Sequence, residues 1–158
     1  MIGVVAAAAL IADLVVAGVR AHDLVSKNDR LQHQLSSFEL GALHAARDYT
    51  VTFATYRYDE LDADFAATEA HSVDPFLSQY RSRTAGLRST LVAAKASSTA
   101  KVISAGLASI SANGAVVDLF LDQTIVNIRG AQPATTQRVK LTMVHRNGKW
   151  LISNVELP

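Results

Sequence analysis

The sequence predicts an α+β protein: an N-terminal membrane helix, a helical segment that follows it, and a C-terminal antiparallel sheet. Three observations predict it. Residues 1–19 are apolar except for Asp13. Apolar residues then recur at helical spacing as far as Tyr56. After Ser97 the texture changes to runs rich in Val, Ile, Leu and Phe, punctuated by turn signals. Helices first and a meander afterwards is the segregated α+β order.

The apolar run has about the 20 residues that a helix needs to cross a bilayer core. It is apolar all round, unlike a two-faced core helix. No basic stretch precedes it and it is long for a signal-peptide core, so it reads as an uncleaved anchor over residues 1–20. Asp13 is costly at membrane depth and so should face protein or water. Ala6, Ala9 and Ala17 lie near it on one helical face, and small residues let a partner helix approach closely. These four residues are the expected membrane-helix contact. Arg20, Lys27 and Arg30 follow the span and no Lys or Arg precedes it. Charge alone therefore favours a cytoplasmic C-terminal domain.

Past the anchor, Leu24, Leu31, Leu35, Phe38, Ala42, Ala45, Tyr49, Phe53 and Tyr56 form a helical stripe. The early part, residues 21–38, is a stalk with too few heptads to specify a coiled coil. Residues 39–158 suffice for one domain. Acidic residues gathered before Leu61 and Phe65 suit the start of a second helix, where the dipole favours negative charge. Asp74-Pro75 opens a third, with Phe76, Tyr80, Leu87 and Leu91 toward the core. Strands are expected over 99–107, 115–127, 138–146 and 149–157, with a loop over 129–136. Asn147-Gly148 is a strong hairpin signal, because both turn residues take positive φ. The two-residue turn sets the register: Arg146 opposes Lys149, His145 opposes Trp150, Val144 opposes Leu151 and Met143 opposes Ile152. Val139, Leu141, Met143, Trp150 and Ile152 then share the face that packs on the helices.

Composition excludes several functions. There is no cysteine, so disulfides, thiolate metal sites and thiol catalysis are unavailable. The net charge of +1 and the interspersed signs argue against nucleic acid. The five histidines show no ligand spacing, and neither a metal nor a cofactor is expected. There is no Gly-rich phosphate loop and no serine nucleophile elbow. As acids or bases, Tyr56, Tyr58, Asp62, Asp64, Asp122 and His145 come into question. Asp62 and Asp64, two apart, point to different helix faces and read as a charged helix start. Asp118 and Asp122 share one side of a strand with Phe120. Gln123 and Asn127 fall on the other side with Leu121 and Ile125, as a buried hydrogen-bond anchor or a sheet-face contact for a partner.

Several phrases in order carry a resemblance: Tyr58-Asp59-Glu60-Leu61-Asp62-Ala63-Asp64-Phe65, Lys95-Ala96-Ser97-Ser98-Thr99, residues 115–124 and 139–144, and the close from Asn147 to Leu157. Together they resemble the Mce-associated membrane proteins of mycobacteria and related actinobacteria. The resemblance implies a curved sheet wrapped on helices, as in nuclear-transport-factor-two-like cones and the periplasmic domains of type IV secretion assembly factors. It implies a single-pass protein of the cytoplasmic membrane with its domain on the extracytoplasmic side, against the charge pattern. It further implies a non-catalytic accessory subunit that stabilises or assembles an Mce-type lipid-import complex, with transporter subunits as partners. A lipid-binding module of the same system is the alternative, and a small enzyme of the cone fold the second alternative.

Overall fold

The structure is a computed structural model that describes the backbone of residues 2–157 and the side chains of residues 23–157. The chain divides into two units, residues 1–38 and 39–158. Helix α1 (Ile2–Ala54) begins in the first and ends in the second. The expected membrane span, with Asp13, Ala6, Ala9 and Ala17, lies outside the residues whose side chains are described. Among the described residues no helix is long and apolar enough to cross a membrane. In the first unit Leu24, Leu31 and Leu35 are exposed along α1.

Residues 39–158 carry helices α2 (Leu61–Glu69) and α3 (Phe76–Ala93), then strands β1 (Ser97–Ser111), β2 (Gly114–Asn127), β3 (Gly130–Ala131), β4 (Thr135–Arg146) and β5 (Lys149–Glu156). The strands form one antiparallel sheet in the order β1-β2-β4-β5, with β3 paired to β2. The hairpin register at Asn147-Gly148 is the expected one from Arg146 opposite Lys149 to Met143 opposite Ile152. Both turn residues have positive φ, 51° and 74°. Beyond Met143 the register shifts, and Ser153 is the extra residue of a bulge, its hydroxyl donating to the Thr142 carbonyl at 3.2 Å. Two more shifts, at Ile103 and Ala108, bend β1.

Strict alternation builds the core. Ala115, Val117, Leu119 and Leu121 of β2, Val139, Leu141 and Met143 of β4, and Trp150 and Ile152 of β5 are all buried. From α1 come Ala42, Ala46, Thr50 and Ala54, all buried and spaced by four. The buried row thus runs through Ala46 where the sequence pattern placed Ala45, which is only half-buried. Beside this row Gly41 packs on a core side chain: a Cβ there would sit 3.5 Å from the Trp150 indole nitrogen.

The ends of the sheet are tied to the helices through backbone. Tyr56 and Ser98 exchange N–H···O bonds at 3.1 and 2.8 Å beside β1. The Val73 N–H donates to the Ile152 carbonyl and the Ile152 N–H to the His71 carbonyl, both at 2.8 Å, beside β5. Each bridge covers part of an edge strand that would otherwise present unpaired groups. Helix α3 starts one residue later than expected, with Pro75 and not Asp74 at its N-cap, while the Asp74 carboxylate accepts from the Ser78 N–H at 3.1 Å and from the Ser78 hydroxyl.

Candidate functional site

Helix α3 buries only its first half. Phe76 and Tyr80 face the core, joined to Phe53 of α1 in an aromatic cluster with centroids 5.6–6.0 Å apart. Phe65 of α2 meets Tyr80 edge-on at 6.1 Å. Further along α3 the expected core role of Leu87 gives way: it is 52% exposed. The reason is a cleft. A cavity of about 240 Å³ opens between α3, the end of α1 and the inner face of the sheet, with Leu87, Leu91, Leu121 and Val139 among its walls. A second, of about 400 Å³, adjoins it along α3 and adds Phe76, Gln79, Arg83 and Val155. Phe53, Tyr80, Thr84, Leu87 and Leu157 border both. Leu157, expected within the last strand, lies just past β5 and is 60% exposed at this rim.

The sheet end of the first cavity is polar. The Gln123 amide donates to the Ala54 carbonyl at 3.2 Å and to the Ser98 hydroxyl at 2.8 Å, and accepts from the Gln137 amide at 2.9 Å. The Ser98 hydroxyl in turn donates to the same Ala54 carbonyl at 2.8 Å. Gln123 therefore locks the end of α1 to the middle of the sheet. Asn127 sits elsewhere, its side chain accepting from the Arg129 N–H at 2.8 Å and shaping the turn into β3. Sequence reasoning missed Gln137 and Ser98. A usable signal existed: Gln137 pairs with Leu121 on the inward register, where a polar residue needs a partner.

The titratable candidates are not brought together. Asp64 accepts from the Arg57 N–H at 2.8 Å and from two guanidinium nitrogens at 3.3 and 2.8 Å, which holds its carboxyl below the ordinary value of 3.8. Asp62 is paired with Arg88 and Glu69 with Arg81. Asp118 and Asp122 lie on the outer face, engaged by Arg138 and by the Thr136 hydroxyl. His145 packs on Trp150 with centroids 4.9 Å apart. Tyr56 alone of the expected acids and bases borders the cleft, and burial raises its phenol above the ordinary value of 10.0. Tyr80 is raised by burial as well. Both stay neutral at physiological pH and keep an O–H donor. Among the described residues no cluster of acidic or imidazole side chains is placed to hold a metal.

The model of the family described as "Uncharacterized protein Rv1363c/MT1408-like" matches residues 1–158. The chain belongs to this family. It is similar to Rv1362c of Mycobacterium tuberculosis (strain H37Rv), with 32% identity over 114 residues, 71% of this chain. The chain spans about half of that relative's length, 52%. It is also similar to the outer membrane protein Rv1973 of the same strain, 33% identical over 116 residues that cover 73% of this chain and 72% of the relative. Among solved structures it is similar to a periplasmic fragment of TraM, with TM-score 0.61, 10% identity, and 73% of this chain and 93% of that one covered. An IcmL-like type IV secretion system protein from Legionella pneumophila gives TM-score 0.64 at 10% identity, covering 73% and 88%. At these identities the likeness is one of fold: helices on an antiparallel sheet, shared with this periplasmic fragment and this type IV secretion system protein.

Proposed function

We propose that the chain is a non-catalytic accessory subunit that stabilises or assembles an Mce-type lipid-import complex in the cell envelope. Residues 1–20 anchor it in the cytoplasmic membrane as a single span, residues 21–38 form a stalk, and residues 39–158 stand on the extracytoplasmic side. The observation that carries this reading is the fold, which is similar to that of periplasmic parts of multi-protein secretion systems. The name of the relative Rv1973 supports an envelope location. Asp13, with Ala6, Ala9 and Ala17, is the proposed contact within the membrane, because a carboxylate there needs a polar partner. On the sheet, Gln123 acts as the internal anchor. The turn held by Asn127, with exposed Ile128 beside it, is the proposed surface contact.

Support for a non-catalytic role comes from the acids themselves. A general acid or base needs a shielded carboxyl beside a second donor. Asp62 and Asp64 are instead spent on arginines at the domain surface. The test is removal of the gene. Loss of the chain should lower the steady-state level of transporter subunits and of lipid uptake, and re-expression should restore both. Unchanged subunit levels and uptake would overturn the proposal.

A further inference from the structure

The cleft under α3 has a chemistry of its own. Its two chambers adjoin along the helix and share an apolar border of Phe53, Leu87 and Leu157. The larger chamber, about 400 Å³, has the size of a small-molecule site, and the smaller one, about 240 Å³, extends it. Two large aliphatic side chains, Leu87 and Leu157, stand exposed at the rim. A ligand that covered them would remove apolar surface from water.

The charge at the mouth is defined too. Arg83 borders the larger chamber, and no Asp or Glu lines it. Its helix neighbours Arg81 and Arg88 are satisfied by Glu69 and Asp62. Arg83 has no carboxylate within ion-pair distance among the described residues. The shared border is apolar, and a hydrocarbon chain laid along it brings no backbone N–H or C=O groups that would need partners there.

We infer that the cleft between α3 and the sheet binds a single-chain amphiphile with an anionic head, a fatty-acid carboxylate, its head at Arg83 and its chain along Phe53, Leu87 and Leu157. The inference stands apart from the accessory role: either can fail without the other.

The experiment uses the full chain in lipid nanodiscs with a diazirine-bearing palmitate as probe, irradiation, and peptide mapping by mass spectrometry. Label is expected in peptides of α3 and of the end of β5, and unlabelled palmitate should displace it more effectively than hexadecanol, which has the same chain and a neutral head. Arg83→Glu should reduce that label roughly fivefold, because it reverses a rim charge, and Arg83→Lys should retain it. Leu87→Asp, which adds a carboxylate at the mouth, should also reduce it. Both side chains are exposed, so the fold is not at stake, and Trp150 fluorescence checks this. Label confined to residues 1–20 would overturn the inference. So would label in α3 that ignores Arg83→Glu and Leu87→Asp, equal displacement by hexadecanol, or protection by a co-purified polypeptide in place of palmitate.

Discussion

Replacing Gln123 by alanine removes the amide that ties the end of α1 to the centre of the sheet. Three hydrogen bonds are lost: to the Ala54 carbonyl, to the Ser98 hydroxyl, and from the Gln137 amide. At about 1 kcal/mol each the ceiling is near 3 kcal/mol. The loss is smaller because two partners keep other bonds: the Ala54 carbonyl still accepts from Ser98, and the Ser98 hydroxyl still donates to it. Gln137 is only half-buried and borders the cavity, so water can replace its partner. The expected destabilisation is about 2 kcal/mol, a large share of a typical domain's roughly 5–15 kcal/mol. The assay is urea unfolding of the full chain in mild detergent. The chain has a single tryptophan, Trp150, which is 7% exposed and so reports loss of the core. With an m-value of about 1–3 kcal/mol per molar urea, the midpoint should fall by roughly 1 M with m unchanged. A double-mutant cycle with Ser98→Ala should give a coupling of about 1 kcal/mol. A midpoint shift below about 0.3 M, or strictly additive single mutants, would refute the locking role of Gln123.

Three further substitutions test other parts of the fold. Thr50 is 1% exposed in α1, and its hydroxyl has no hydrogen-bond partner among the described residues. Thr50→Val, nearly isosteric, should therefore stabilise by about 1 kcal/mol in the same urea assay. Asp64 has its folded pKa lowered, first by the Arg57 hydrogen bond. Its contribution is thus fully present above the ordinary value of 3.8 and lost as pH falls through the lowered folded value. Asp64→Asn should lower the unfolding midpoint at pH 7, and the gap to wild type should close in strong acid. A gap that persists there would assign the loss to something other than the ion pair. Gly148 holds φ at 74° in the β4–β5 turn, so Gly148→Val should cost about 1–2 kcal/mol by thermal unfolding, from backbone strain alone.

What the sequence revealed was what local chemistry controls. Asn147-Gly148 specifies a turn with positive φ at both residues, and the turn dictates every pairing from Arg146 to Met143. Alternation in β2 and β4 then names the buried face, and Val139, Leu141 and Met143 are where it puts them. What escaped depends on partners far along the chain. Only Gly106, inside β1 between Ile103 and Ala108, hints at a bulge, and no residue near Ser153 does. Without the bulges the curvature of the sheet is invisible, and so is the cleft that leaves Leu87 exposed. Gly130 and Pro133 mark a loop, yet Gly130–Ala131 still pairs with Val126 and Asn127, because a short edge strand needs little more than an adjacent ladder. For Gln123, alternation placed the side chain inward. Only the fold supplies the Ala54 carbonyl, contributed from 69 positions away, that makes it an anchor.

The proposed accessory role places a contact in the membrane at Asp13, and one measurement tests that proposal directly. The tagged chain is purified from its native membrane in mild detergent, as wild type and as Asp13→Leu. The account predicts that transporter subunits co-purify with wild type and are lost with Asp13→Leu, with both proteins present in the membrane at equal levels. Persistence of the subunits with Asp13→Leu would move the contact to residues 39–158. Wild type that brings down no transporter subunit would contradict the account.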